Sequence, residues 1–377
     1  MRYRRLPIEV ESPEQLGYSA IRYNLSESSY RDQTLATLGI DGDVSHLVLQ
    51  YGDHLGLPRL RDLIAVSNGP GPAGLHPDDV LVTAGAVAAL FIVNTALLQP
   101  GSHALVVRPN YATNLETPQA IGADVQYLDL RFEDGWRIDP ARIAAALRPQ
   151  TALVSLCLPH NPTGQTVSVA ELTALVDLVD RHGTARLLVD ETYRDLAYDT
   201  PLPMAATLSD RVIAVSSMSK SFGLPGLRLG WITCRDADTR TLLLAAKEQI
   251  LIAGATIDEE LAARVLERGE QILTGIRARV RVHRDLVAQF MVGQAVFEWV
   301  PPQAGAVCFP RVPPGRSFDA DLFYRALLEQ HGTYVGPGHW FEQDRRGFRL
   351  GFAWPTTDEL RGGLQGLLAA ADQATVG

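Results

Sequence analysis

Cysteine is scarce. The chain has three in 377 residues, Cys157, Cys234 and Cys308, far apart and without a C-x-x-C pair. This excludes a disulfide framework and a thiol redox motif, so a reducing cytoplasm is expected, with the thiols as core filler. Positive charge is also short. Lys and Arg total 34 against 43 Asp and Glu, a net charge of −9, which leaves no basic footprint for nucleic acid. No apolar run is long enough to cross a bilayer, because the most apolar stretch, 84–98, is too short and contains Asn94. The basic start Met1-Arg2-Tyr3-Arg4-Arg5 is followed by Pro7-Ile8-Glu9-Val10-Glu11, not by the apolar core of a signal peptide. No membrane role and no metal site are expected. Internal repeats and low-complexity segments are lacking too. The first strand-to-helix turn has no G-x-G-x-x-G, which argues against a nicotinamide dehydrogenase.

What is present is ordinary for a soluble protein, 46% hydrophobic and 20% charged, with enough length for two domains. From residue 54 the pattern becomes regular. An amphipathic helix is expected over 55–66, stopped by Asn68-Gly69-Pro70-Gly71-Pro72. Short apolar, β-branched runs follow at 80–83, 104–107, 125–128, 152–156, 186–189, 211–215 and 228–233, interleaved with helical patterns at 85–98, 140–147 and 169–182. Continuous apolar strands separated by helices predict an α/β fold with a mostly parallel sheet covered on both faces. One long helix is expected over 258–290, then strands at 307–310, 334–335 and 348–352 and a last helix at 357–371. The expected division is a large domain over 46–285 and a small α+β domain built from 1–45 and 286–377.

The unusual residues recur at one place in this pattern. Ser217-Met218-Ser219-Lys220 follows the strand at 211–215, and Asp190-Glu191-Thr192-Tyr193 follows 186–189. Asn161-Pro162-Thr163-Gly164 follows 152–156, Arg108-Pro109-Asn110-Tyr111 follows 104–107, and Thr83-Ala84-Gly85-Ala86 follows 80–83. Ligands of open α/β sheets bind at the carboxyl ends of strands. Singly, each has a plain reading: a solvated lysine, a helix cap, a turn, a rim aromatic, an ion-paired Arg228. Together they supply an amine, an acidic partner, a stacking ring and, at the small-residue turn before 85–98, free N–H groups suited to phosphate.

The run S-x-S-K-x-x-G-x-x-G-x-R-x-G over 217–230, with N-P-T-G and D-x-x-Y, resembles the class I/II aminotransferases of fold type I, typified by aspartate aminotransferase. The resemblance implies a pyridoxal 5′-phosphate cofactor bound by Lys220 as a Schiff base, with Asp190 against the pyridine nitrogen. It implies that Asn161 and Tyr193 bond the ring's 3-oxygen and that Tyr111 stacks on the ring. Ser217, Arg228 and the N–H groups of Ala86 and Val87 would hold the phosphate. Tyr51 matches a tyrosine that reaches the phosphate of the neighbouring subunit, hence a homodimer with shared active sites. Arg349 matches the arginine that binds the substrate α-carboxylate. The catalytic set implied is Lys220, Asp190 and Tyr193, acting on an amino acid and a 2-keto acid.

Two departures stand out. Val87 replaces a common Ser or Thr, which removes one hydroxyl from the phosphate site. Leu25-Ser26-Glu27-Ser28-Ser29 stands where relatives have a glycine-rich turn. Glu27 either faces the substrate side chain and favours a cationic, guanidino-type amino acid, or is a solvated loop carboxylate. Gly336-Pro337-Gly338-His339-Trp340-Phe341, before Arg349, also resembles enzymes that build cyclic guanidino amino acids in actinomycete peptide-antibiotic pathways. Other reactions on the same cofactor stay open (elimination or replacement, cyclisation, oxidation of a guanidino amino acid), as does a non-catalytic cofactor-binding regulator.

Overall fold

The structure, a computed structural model, describes residues 1–67 and 74–375. The run 68–72, to which the sequence assigns a helix stop, lies outside the described residues. Among the described residues the strands are β1 (Tyr23–Leu25), β2 (Val80–Thr83), β3 (His103–Arg108), β4 (Asp124–Asp129), β5 (Thr151–Cys157), β6 (Arg186–Asp190), β7 (Val212–Ser217), β8 (Gly230–Cys234), β9 (Val307–Cys308), β10 (Thr333–Pro337) and β11 (Phe348–Gly351). They form a seven-stranded sheet, β2-β8-β7-β6-β5-β3-β4, and a four-stranded sheet, β1-β10-β11-β9. The large sheet is α/β and mostly parallel; β8 alone runs against its neighbours β2 and β7.

Burial explains why these segments are strands. β2 and β7 are buried along their whole length, as is β3 up to Val107. Such strands have no polar face, and helices must cover both sides of the sheet. The helix Val169–His182 has clear end signals. Ser168 Oγ accepts from Glu171 N at 3.1 Å, Glu171 Oε2 accepts from Ser168 N at 2.8 Å, and Gly183 closes the end at φ 83°.

Several expected boundaries move. The helix expected over 258–290 is two, Thr256–Leu266 and Gly269–Val292. The break is at Arg268 (φ −112°), whose Nη1 donates to the carbonyls of Leu38 and Gly39 at 3.1 and 2.7 Å. The helix expected from 55 begins at Pro58, a residue that suits a first helical position because it lacks an N–H. The strand expected from Arg228 begins at Gly230, since Arg228 is left-handed at φ 48°. The pattern also leaves unmarked the helices Ala112–Ile121, Ala237–Glu248 and Ala320–Glu329. The first of these carries Pro118 in its body, and such a residue masks a helical pattern.

The small sheet joins distant parts of the chain. β1 pairs in parallel with β10, Tyr23 against Thr333, and the helix Thr357–Ala374 packs its buried leucines and alanines over the sheet and the long helix. No helix among the described residues is long and apolar enough to cross a membrane.

Candidate active site

The parallel strands β3, β5, β6 and β7 end on one edge of the large sheet, and β8 begins there because it is antiparallel. Gly230, its first residue, pairs with both Thr83 and Ser217. A residue just before β8 therefore reaches the same edge as residues just after the parallel strands. Arg228 does this.

A cavity of about 460 Å³ opens at that edge. Ala86, Val87, Tyr111, Asn161, Asp190, Tyr193, Ser217, Lys220, Arg228, Arg349 and Glu27 all line it. Every expected site residue but one is thus brought together. The exception is Tyr51, 81% exposed and outside the cavity. It sits with exposed Val48 and Leu49 on a loop fixed from behind, where Thr256 Oγ1 donates to Gln50 O at 3.2 Å and the buried Lys247 Nζ donates to His54 O.

One end of the cavity gathers hydrogen-bond donors. The helix Gly85–Leu97 starts without a side-chain cap, so its first N–H groups are available. Gly85 is at φ +80°, and a Cβ there would lie 2.9 Å from Arg228 Nη2. A Cβ on Gly230 would lie 2.6 Å from Gly85 C and 2.7 Å from Ala86 N. Gly230 is required by its close approach to backbone and Gly85 by its positive φ, and the Arg228 guanidinium lies against the helix start. Ser217, buried at the end of β7, adds a hydroxyl.

The middle of the cavity holds the ionisable groups. Asp190 is buried, and its Oδ1 accepts from Thr192 N at 3.1 Å and Thr192 Oγ1 at 2.5 Å. Burial raises its pKa, and the bonds from Thr192 oppose that shift. Burial lowers the pKa of Lys220, against the opposing pull of Glu27. Tyr193 Oη donates to Ser28 Oγ at 2.9 Å. Arg349, 5% exposed, donates through Nη1 to Asn161 Oδ1 at 3.1 Å and through Nη2 to Ser26 O at 2.6 Å, with its Nε unpartnered. Burial lowers the pKa of this guanidinium too.

Glu27 is half-buried on the cavity wall, not out in solvent. Burial raises its pKa while Lys220 and Arg349 draw it down, and Tyr18 Oη donates to its Oε1 at 3.4 Å. The sequence reading misses the other side of this wall. Ile8, Glu9, Ser12, Pro13, Glu14 and Gln15 line the cavity from two short helices, Pro7–Glu11 and Pro13–Leu16. Their signal was present: each helix opens on a proline, and Ser12-Pro13-Glu14 reads as a helix start. Glu11 pins the segment, its Oε2 accepting from Trp340 Nε1 at 2.7 Å and meeting His339 Nε2 at 2.8 Å. Cys157 also lines the cavity, and all three cysteines are free and buried in the core.

Residues 23–367 match the profile of the family described as Aminotransferase class I and II. The chain is 32% identical to the capreomycidine synthase of Streptomyces vinaceus, over 85% of this chain and 80% of that protein. It is 30% identical to the arginine–pyruvate transaminase AruH of Pseudomonas aeruginosa, over 80% of this chain and 77% of that one. The crystal structure of a PLP-dependent aminotransferase from Streptococcus suis superposes with a TM-score of 0.91 at 25% identity, covering all of both chains.

Proposed function

From the premise that this chain belongs to the class I and II aminotransferase family, we propose that it moves an amino group between a guanidino amino acid and a 2-keto acid. Its cofactor is pyridoxal 5′-phosphate. The residues present fit that group. The uncapped helix start, held close against β8 by Gly230, together with Ser217 and Arg228, suits a phosphate. Tyr111 offers a ring face and Asp190 a buried carboxylate for the pyridine nitrogen. The single observation that carries the reading is Lys220, an amine made less basic by burial, on one cavity wall with Asp190 and Arg349.

When bound, the cofactor supplies an electron sink for the substrate Cα. This chain's residues do the rest. Lys220, less basic than an ordinary lysine, takes the proton from the substrate Cα as general base and later delivers it as acid. Asp190 keeps a proton on the ring nitrogen. Arg349 binds the substrate α-carboxylate and, through Asn161, fixes its orientation. Tyr193, beside Asn161, would turn its one phenolic proton toward the ring oxygen when the cofactor is bound, and would then accept from the Ser28 hydroxyl it meets at 2.9 Å.

Glu27 and Glu14 support the substrate class proposed. Both line the cavity, and both act electrostatically on Lys220 and Arg349. Two carboxylates at the edge of a buried site call for a cation, and a planar guanidinium meets a carboxylate with two parallel hydrogen bonds. The arginine–pyruvate transaminase among its relatives supports the same class.

We read the active unit as a homodimer, with Tyr51 of each chain entering the neighbour's phosphate site. The exposed tyrosine on a fixed loop beside exposed Val48 and Leu49 supports this. The free thiols support a reducing compartment, the cytoplasm. The large domain, 46–285, would hold the cofactor, while 1–45 and 286–377 would select the substrate.

Supplying arginine and related amino acids with and without a panel of 2-keto acids tests the reaction. Turnover that requires the keto acid supports transamination. Turnover without one, giving a cyclised or eliminated product, overturns it in favour of the second reading, which the synthase among its relatives keeps in view.

A further inference from the structure

We propose that His160 is a positioning residue of this reaction: a neutral imidazole carrying its proton on Nε2, which locks the loop bearing Tyr111 to the loop bearing Asn161, the hydrogen-bond partner of Arg349. The inference rests on reading Tyr111 and Asn161 as contacts of the cofactor ring.

The geometry is fully buried. His160 and Thr163 are 1% and 0% exposed. Nε2 of His160 lies 2.9 Å from Pro109 O, and Nδ1 lies 2.8 Å from Thr163 Oγ1. A carbonyl only accepts, so Nε2 carries the proton and donates. Nδ1 is then the acceptor for the Thr163 hydroxyl. Thr163 Oγ1 in turn accepts from Gln165 N at 3.3 Å. Burial pushes the imidazole pKa down to about 4, so the ring is neutral at any ordinary pH.

Each end of this bridge holds a site residue. Pro109 is two residues from Tyr111, whose N–H donates to Asn110 Oδ1 at 2.7 Å; Asn110 in turn donates through Nδ2 to Val107 O at 2.9 Å. His160 is adjacent to Asn161, whose Oδ1 accepts from Arg349. The backbone closes the second loop around the histidine: His160 N donates to Gln165 O and Gly164 N to His160 O, both at 2.7 Å. A shift of the imidazole therefore moves the stacking ring on one side and the carboxylate-binding pair on the other. A core histidine with no link to function would not join the backbones next to both.

The test uses His160→Leu, His160→Gln and Thr163→Val in the full-length protein. Readouts are the dissociation constant of added pyridoxal phosphate, the visible circular dichroism of the bound cofactor, and the melting temperature of the cofactor-free protein. His160→Leu should weaken cofactor binding about tenfold and reduce the visible dichroism, because Pro109 O loses its donor. His160→Gln, which can still donate to that carbonyl, should recover most of both. In a Tyr111→Leu background, His160→Leu should cost less than about threefold, the mark of two residues acting as one unit. Nitrogen NMR of the cofactor-free protein should find His160 neutral with the proton on Nε2 at pH 7. A lower melting temperature with unchanged affinity and dichroism, additive double mutants, or the Nδ1–H tautomer would overturn the proposal. If His160→Leu does not fold, Thr163→Val carries the same comparison. If Tyr111→Leu and Asn161→Ala themselves leave cofactor binding unchanged, the site reading fails; if they weaken it and the His160 variants do not, only this inference does.

Discussion

Gly230 stands directly against Gly85: a Cβ on the first would come within 2.6 Å of the carbonyl carbon of the second and 2.8 Å of Ser216 O. These are backbone atoms, which cannot swing aside as the end of a flexible side chain can. Gly230→Ala should push the helix start away from Arg228 and Ser217. We expect cofactor affinity to fall by at least about tenfold, with a stability loss of about 1–3 kcal/mol from overpacking. Titration with pyridoxal phosphate and thermal melts measure the two effects, and an unchanged affinity would remove the helix start from the phosphate site.

Lys220→Ala should abolish the absorbance band of the lysine-linked cofactor and cut turnover by a factor of at least about 10⁴, since it removes covalent attachment and the general base together. Excess added cofactor should not restore turnover. Retained transamination would show that another group moves the Cα proton.

Glu27→Gln and Glu14→Gln should lower kcat/KM for arginine-like amino acids by about 10–100-fold and leave neutral amino acids within about threefold, the difference being the charge-assisted bonds of the guanidinium. Equal losses on cationic and neutral substrates would make both carboxylates structural.

Tyr51→Phe should leave the monomer's fold intact, because Tyr51 is exposed, and weaken cofactor binding about fivefold through loss of one hydrogen bond to the neighbour's phosphate. Sedimentation checks that the assembly is unchanged. Unaltered affinity would end the shared-site reading.

Glu191 gives a stability test. It is buried, its Oε1 accepts from Ala205 N at 2.6 Å, its Oε2 has no partner, and burial raises its pKa from 4.5 to about 7. The folded chain then binds more protons than the unfolded chain between those values, so stability falls as pH rises from about 4.5 to 7. Glu191→Gln mimics the protonated form and should flatten that fall. Urea unfolding at pH 5 and pH 8 measures it, and parallel pH slopes for the two proteins would contradict the assignment.

Much of the large sheet is legible in the sequence because strands buried on both faces are short unbroken apolar runs; β2, at Val80–Thr83, has the limits its sequence predicts. The site is legible for a related reason. Residues after parallel strands share one edge, so Asp190, Asn161 and Lys220 could be grouped without knowing any distance. What the pattern does not yield depends on contacts remote in sequence. Arg268 breaks a helix because the carbonyls of Leu38 and Gly39 are there to receive it. The 8–15 wall is set by Glu11 meeting His339 and Trp340, a pairing that no local periodicity encodes.

The parallel pairing of Tyr23–Leu25 with Thr333–Pro337 also bears on the order of assembly. During synthesis the first of these strands waits, without a partner, until nearly all of the chain has been made, and such long-range pairing is slow to form. The strand that ends at Asp190 and the one that leads into Lys220 have their neighbours far sooner. The proposed cofactor residues can therefore take their places while the wall of Glu14, Glu27 and Arg349 is still open. The pocket proposed for the cofactor can thus take shape before the wall proposed to select the substrate.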